Sequence, residues 1–168
     1  MPHVLLTAVG NDRPGLVGEL TGQLFTVGAN ILDSRMVNLR GRFAVIMLMD
    51  GDPAAIRAAL PKAEKLGLDL HLEVPTAAPM KGGIPFKLKT YSLDQPGLVH
   101  RVSDVLRSHG VNIEELSARQ ESAAFAGDPL FIMEMRLTVP AAVAVKTLRT
   151  DLEAVCEKVN ADLDLEPA

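Results

Sequence analysis

The residues of this chain best suited to holding a small molecule are Asp12, Pro14, Gly15 and Asn30, and each has an identical counterpart 82 positions further on. Asp12-Arg13-Pro14-Gly15-Leu16-Val17 reads as a strand-to-helix turn. Proline near the first helical position presets φ and lacks an amide that would go unsatisfied there anyway. Glycine beside it lets a ligand approach the backbone closely. The first-turn amides then point outward at the positive end of the helix dipole, a ready site for a carboxylate. Asp12, just ahead, can cap the helix or accept a bond from an ammonium. Asn30 follows the helix-stopping Gly28, and its amide offers donors and an acceptor. Donors for a carboxylate with acceptors for an ammonium match the common part of a free α-amino acid. The same residue types also make an efficient turn and an efficient helix stop with no ligand.

The chemistry is written twice. Aligning residues 4–31 with residues 86–113 gives 10 identities in 28 positions, including Asp12/Asp94, Pro14/Pro96, Gly15/Gly97, Gly28/Gly110 and Asn30/Asn112. Average residue usage would give roughly two. The identities gather in two turns separated by one amphipathic segment, which marks a repeated supersecondary unit.

The elements that must position these turns follow from the pattern of apolar residues. Residues 4–9 are rich in strand formers, and Leu16, Val17, Leu20, Leu24 and Val27 recur at helical spacing before Gly28. Residues 30–39 and 43–49 read as strands joined by a tight turn at Arg40-Gly41. Pro53 opens a second helix that Pro61 is expected to kink or shorten. Residues 68–74 alternate as a half-buried strand should. The second copy repeats the order with strands at 86–91, 111–120, 130–139 and 162–166, and helices marked by Leu98 to Leu106 and at 141–159. A β-α-β-β-α-β order with right-handed crossovers folds into a four-stranded antiparallel sheet with two helices on one face. The expectation is therefore an α+β chain, two ferredoxin-like sandwiches in tandem. Their expected bounds are 1–75 and 86–168, with a linker at 76–85 that is rich in proline and glycine. The second copy carries one insertion, at 121–128, longer than a hairpin needs.

Other chemistry is excluded or weak. His3, His71, His100 and His109 have no metal-site spacing with Cys, Asp or Glu. His100, which replaces Gly18 of the first copy, reads as a solvated side chain. Cys156 reads as a buried thiol; as the single cysteine it forms no internal disulfide and suits a reducing cytoplasm. Met47, Met49, Met133 and Met135 alternate along strands as core residues do. Arg35, Arg40 and Arg42 read as a solvated basic group facing no acid. No phosphate loop, nucleophile elbow or paired carboxylates appear, so neither an enzyme nor a cofactor is expected. A net charge of −4 and the lack of an aromatic platform argue against direct nucleic-acid binding. No apolar run has membrane-spanning length. Units of about 80 residues are marginal alone, so a shared interface or a homo-oligomer is expected.

The joint motif, Asp-x-Pro-Gly-Leu-Val with Gly-x-Asn-Ile following, in both halves, resembles the ACT domain. A chain made of two such domains is similar to the glycine cleavage system transcriptional repressor family. The resemblance implies a module that senses a small amino acid, with glycine a candidate, at the strand-to-helix turn against a neighbouring ACT domain. Carried over by position, it points to Asn11, Asp12, Arg13, Gly15, Leu16 and Val17 with Asn30 and Ile31. In the second copy it points to Leu93, Asp94, Gln95, Gly97, Leu98 and Val99 with Asn112 and Ile113. It further implies transcriptional control through a protein partner rather than through DNA. A detached regulatory subunit of an amino-acid metabolic enzyme and a ligand-free pairing module are the alternative expectations.

Overall fold

A computed structural model describes residues 2–76, 82–93, 96–122 and 129–168. The chain divides into two compact units, residues 1–78 and 79–168. The first contains β1 (His3–Asn11), α1 (Leu16–Thr26), β2 (Asn30–Leu39), β3 (Arg42–Asp50), α2 (Pro53–Glu64) and β4 (Leu68–Glu73). The second contains β5 (Ile84–Leu93), α3 (Leu98–Ser108), β6 (Asn112–Ser122), β7 (Pro129–Val139), α4 (Val145–Glu157) and β8 (Asp162–Pro167). Each unit forms one antiparallel sheet, ordered β2-β3-β1-β4 and β6-β7-β5-β8. The fold is the tandem α+β sandwich that the order of elements implies.

Period-two burial builds each core. On β1, Val4, Leu6 and Ala8 are buried, and on β3 Phe43, Val45, Met47 and Met49 are buried beside them. Leu16, Leu20 and Leu24 repeat at i+4 on α1 and close over the same side. In the second unit Phe86, Leu88, Met133 and Met135 meet Leu98, Val102 and Leu106 of α3 and Leu148, Leu152 and Cys156 of α4. The four sheet methionines and Cys156 are thus core residues, and burial pushes the Cys156 thiol up.

Turn chemistry fixes the joints. Arg40 (φ 51°) and Gly41 (φ 80°) make a two-residue hairpin with both positions left-handed, the geometry that matches strand twist. Edge strands β2 and β6 carry a bulge at equivalent places, between Ile31 and Asp33 and between Ile113 and Glu115. Three expectations need correction. Helix α2 runs through Pro61 without a break, because that residue lies three positions from the helix end and removes a single intrahelical bond. Helix α4 starts at Val145 rather than at residue 141, after a turn in which the Val143 N–H donates to the Pro140 carbonyl at 2.9 Å. Strand β5 starts at Ile84, inside the stretch expected to be linker. Strand β6 reaches Ser122 and β7 begins at Pro129, and the intervening part of the insertion lies outside the described residues.

Candidate functional site

Gly15 stands at the N-cap of α1 with φ 83°, and Gly97 stands at that of α3 with φ 93°. Any L side chain is strained there. Space is not the constraint: the nearest atom to a Cβ on Gly15 would be Glu19 Oε1 at 3.6 Å, and to one on Gly97, Arg101 Nε at 3.9 Å. Among the described residues neither helix start has a side-chain cap. In α1 the Leu16 N–H donates to the Arg13 carbonyl (3.3 Å) and the Glu19 N–H to the Gly15 carbonyl (3.0 Å). Between them, the N–H groups of Val17 and Gly18 meet no acceptor among the described residues. They are the outward-pointing donors that a carboxylate would need.

Asp12 does not cap α1, contrary to one of its expected roles. Its N–H donates to the Gly41 carbonyl at 2.8 Å, and its carboxylate accepts from Asn38 Nδ2. Asn38 Oδ1 in turn accepts from the Gly41 N–H at 3.2 Å, while Arg42 donates to Asn11 Oδ1. The β2–β3 hairpin is therefore laced onto the end of β1. Sequence reasoning missed Asn38, Gly41 and Arg42 in this role, and the only signal for it was Asn38 standing just before the hairpin turn. Arg35 also departs from expectation, since it pairs with Asp33 on its own strand.

Charge separates the two helix starts. Arg13 grips Glu19 through two hydrogen bonds, 2.6 and 2.8 Å long, beside the Gly15 cap. The hydrogen bond from Arg13 holds the Glu19 carboxyl below the usual carboxylate range, and Arg13 is raised in return. The second copy has Gln95 in place of Arg13 and Arg101 in place of Glu19. Asp94 and Gln95 lie outside the described residues. A carboxylate beside one cap is matched by a guanidinium beside the other.

The helix stops account for Gly28 and Gly110. Gly28 (φ 75°) and Ala29 donate to Phe25 and Leu24 carbonyls at 3.0 and 3.1 Å, and Gly110 and Val111 repeat the pattern on Arg107 and Leu106 at 3.0 and 2.9 Å. This Schellman arrangement requires no ligand. Asn30 and Asn112 then begin β2 and β6. Asn112 Nδ2 donates to Glu114 Oε1 at 2.7 Å.

One unit does not bring its two motifs together. Asn11 aligns with Arg42 and Leu39 at one end of the first sheet, whereas Asn30 aligns with Asp50 and His3 at the other. In the second sheet Leu93 aligns with Leu130 and Glu121, and Asn112 with Thr138 and Pro85. Nine strand residues, about 30 Å, lie between the ends. Asn11, Asp12, Arg13, Gly15, Leu16 and Val17 thus form one group, with Asn30 and Ile31 remote from it. Leu93, Gly97, Leu98 and Val99 are separated from Asn112 and Ile113 in the same way. His100 is 79% exposed and sits 3.6 Å from Asp104, one turn along its helix. Among the described residues no cluster of His, Cys, Asp or Glu could hold a metal ion.

Comparison with known proteins decides the family. An ACT domain model matches residues 2–73. The glycine cleavage system transcriptional repressor of Escherichia coli (strain K12) is 30% identical over 166 residues, covering 95% of this chain and 86% of that protein. The chain belongs to the family of tandem ACT-domain proteins that includes this repressor. The crystal structure of an unknown protein from Galdieria sulphuraria matches with a TM-score of 0.88 at 30% identity, over 99% of this chain and 98% of that one. A UPF0237 protein of Methanococcus maripaludis is 37% identical over 79 residues, 44% of this tandem ACT chain and 84% of its own length. Among the described residues no helix is long and apolar enough to cross a membrane.

Proposed function

We propose that this tandem ACT protein is a non-enzymatic cytoplasmic regulator that binds a small free amino acid and transmits its presence to a protein partner in transcriptional control. The observation that carries the reading is the pair of glycine-capped helix starts, where the first-turn amides of α1 meet no acceptor among the described residues. The family supports the regulatory class, and the Escherichia coli repressor suggests glycine as the first ligand to try.

The ligand carboxylate would take the amides after Gly15 or Gly97, and its ammonium would need acceptors from elsewhere. Because each unit keeps its Asn30-type residue at the far end of the sheet, a neighbouring ACT unit supplies them. The two sites are unequal in this reading. At the first, Glu19 sets a carboxylate where the ligand's would go, and Arg13 is already engaged in holding it. At the second, Arg101 adds positive charge beside the amides, so the second site is the better receptor for an amino acid.

A ligand of five heavy atoms limits the binding free energy to about −7 kcal/mol, so Kd is no tighter than roughly 10 μM for glycine. At a hundredfold excess over Kd such binding still stabilises the fold by about 2.7 kcal/mol. A thermal-shift screen of the intact protein against the twenty amino acids at millimolar concentration tests the sensor. If none raises the melting temperature, the reading is wrong. Affinity capture from extract tests the partner: a transcription regulator supports this reading, and a metabolic enzyme supports a detached regulatory subunit instead.

A further inference from the structure

We propose that the open face of the first sheet, the side away from α1 and α2, seats a second copy of this chain, sheet against sheet. The face is made by the residues alternate to the core. In register they form the rows Asp33-Leu48-Leu5-Glu73, Arg35-Ile46-Thr7-His71 and Val37-Ala44-Val9-Asp69. Within these three rows the two central strands contribute Leu5, Thr7, Val9, Ala44, Ile46 and Leu48, none of them charged, while His3 with Asp50 and Asn11 with Arg42 close the face at its two ends. Val9 is 43% exposed, Ile46 42% and Val37, next to them on β2, 51%. Isolated exposed apolar residues are ordinary, but a contiguous apolar patch rimmed by polar groups marks an interaction surface.

The second unit carries charges over much of the same face, with Tyr91 and the buried Ile132 where the first has Val9 and Ala44. With the 82-residue repeat and the strand registers, Leu5, Thr7, Ile46 and Leu48 correspond to Lys87, Lys89, Glu134 and Arg136, and Val37 corresponds to Arg119. These charges pair across strands, Lys89 with Glu134 at 2.9 Å and Arg136 with Glu115 at 3.0 Å. The fold therefore accepts ionic side chains at these positions, and their replacement by uncharged ones in the first sheet is not forced by packing within the unit.

Size and symmetry select the occupant. Four strands about 4.8 Å apart, averaging about 8.5 residues at about 3.3 Å each, outline a face of about 550 Å². Two such faces together bury about 1,100 Å², just above the roughly 1,000 Å² expected of a specific interface. Sheets pack in this way about 10 Å apart and about 30° from aligned. An uncharged centre is its own complement across a two-fold axis. With that axis parallel to the strands, β3 lies over the second copy's β1, which sets Leu48 over Leu5, Ile46 over Thr7 and Ala44 over Val9. The interface requires no ligand and is separate from the strand-to-helix turns.

Sedimentation equilibrium of the full chain at micromolar concentration tests it. Wild type is expected at twice the 18.0 kDa chain mass or an even multiple of it. Ile46→Glu, which installs the residue that the second sheet carries at this position, is expected to halve that mass, as is Val9→Lys, with far-UV circular dichroism unchanged. Two exposed positions are used so that a folding failure at one leaves the other to decide. Glu134→Gln, on the corresponding face of the second sheet, should leave the mass as it is. Wild type at 18.0 kDa overturns the proposal. A wild-type assembly whose mass neither variant changes places the contact elsewhere and overturns it equally.

Discussion

At Leu5, Ile46 and Leu48 the first sheet presents apolar side chains to the outside, where the second presents Lys87, Glu134 and Arg136 from the same backbone positions. The helix-facing sides diverge less: Leu6 and Leu88 are both buried, as are Leu24 and Leu106, and Met47 and Met135, and the polar changes there are Thr90 and Ser92 in place of Ala8 and Gly10. The inner face is constrained by close packing, which tolerates little change in volume or polarity. The outer face answers only to what lies beyond it. Its chemistry in the two units thus reports two different surroundings, one that solvates the charges at Lys87, Glu134 and Arg136 and one that is a partner surface. The helix starts repeat the lesson on a smaller scale, with Glu19 and Arg101 as opposite charges on one scaffold.

The strongest test of that division acts on the conserved interior. Leu24→Ala and Leu106→Ala remove matched buried leucines from α1 and α3, and each should cost about 2–5 kcal/mol in chemical denaturation. If the interiors are equivalent, the two losses agree within about 1 kcal/mol after allowing for local relaxation. A much larger loss in one unit would show that the cores differ as the faces do. Next come the cap glycines. Gly15→Val and Gly97→Val force a β-branched residue to φ values of 83° and 93°, for about 1–3 kcal/mol of backbone strain each. Both should destabilise alike in a melt. They should part on ligand response, with Gly97→Val abolishing the amino-acid thermal shift and Gly15→Val leaving most of it.

These glycines also mark how much of the molecule was legible in its sequence. The tandem arrangement, the strand order and the core were all readable because identities at Gly15/Gly97 and Gly28/Gly110 fix turns, and alternate apolar residues fix faces. Gly15 was legible as a helix start, and the structure adds a reason that spacing does not show: its backbone angle demands glycine by itself, with open space around it. Asn30 was grouped with Asp12 because both are motif residues, yet a helix reverses the chain between them and sends them to opposite ends of the sheet. Local spacing carries no information on that separation; strand register does. The lacing of Asp12 by Asn38 and Gly41 was hidden for the same reason, since it joins residues 26 apart or more through the hairpin. The contrast of outer faces was present in Leu5/Lys87 and Thr7/Lys89 but became visible only once cross-strand partners were known.

Reversing the charges at the helix starts gives a smaller effect. Arg101→Glu should weaken amino-acid binding by about 0.3–1 kcal/mol from the loss of favourable charge near the amides, and more once like-charge repulsion is added. Glu19→Gln should raise the ligand response of the first site, because it frees Arg13 and removes a competing carboxylate. The readout is the midpoint of the thermal shift against ligand concentration. If Glu19→Gln leaves that response unchanged and Arg101→Glu strengthens it, the assignment of the better site to the second copy is reversed.

The smallest effect is the pH dependence of the charged outer face, which the apolar face lacks. Lys89 donates to Tyr91 and to Glu134, and these bonds push it up to about 12; its ammonium also lies 5.0 Å from the centre of the Tyr91 ring. The hydrogen bond from Lys89, with a further contribution from Arg119, holds Glu134 below the usual carboxylate range. The two shifts act at opposite ends of the pH scale. Because Lys89 is raised in the folded protein, its contribution is complete below the ordinary value of 10.5 and is lost as pH rises through about 12. Because Glu134 is lowered, its contribution is complete above the ordinary value of 4.5 and is lost as pH falls through the depressed folded value. Both side chains are solvated, so water and salt screen the interaction and the effect on stability is slight. Lys89→Met should therefore lower the melting temperature a little from pH 5 to 10, with the difference from wild type fading below that window and above it. Added salt should shrink the difference within the window. The matched substitution Thr7→Met on the first sheet should show no such pH profile, because Ile46 faces it where Glu134 faces Lys89. A Lys89→Met difference that persists unchanged at pH 3 would mean that packing, rather than charge, is what this side chain contributes.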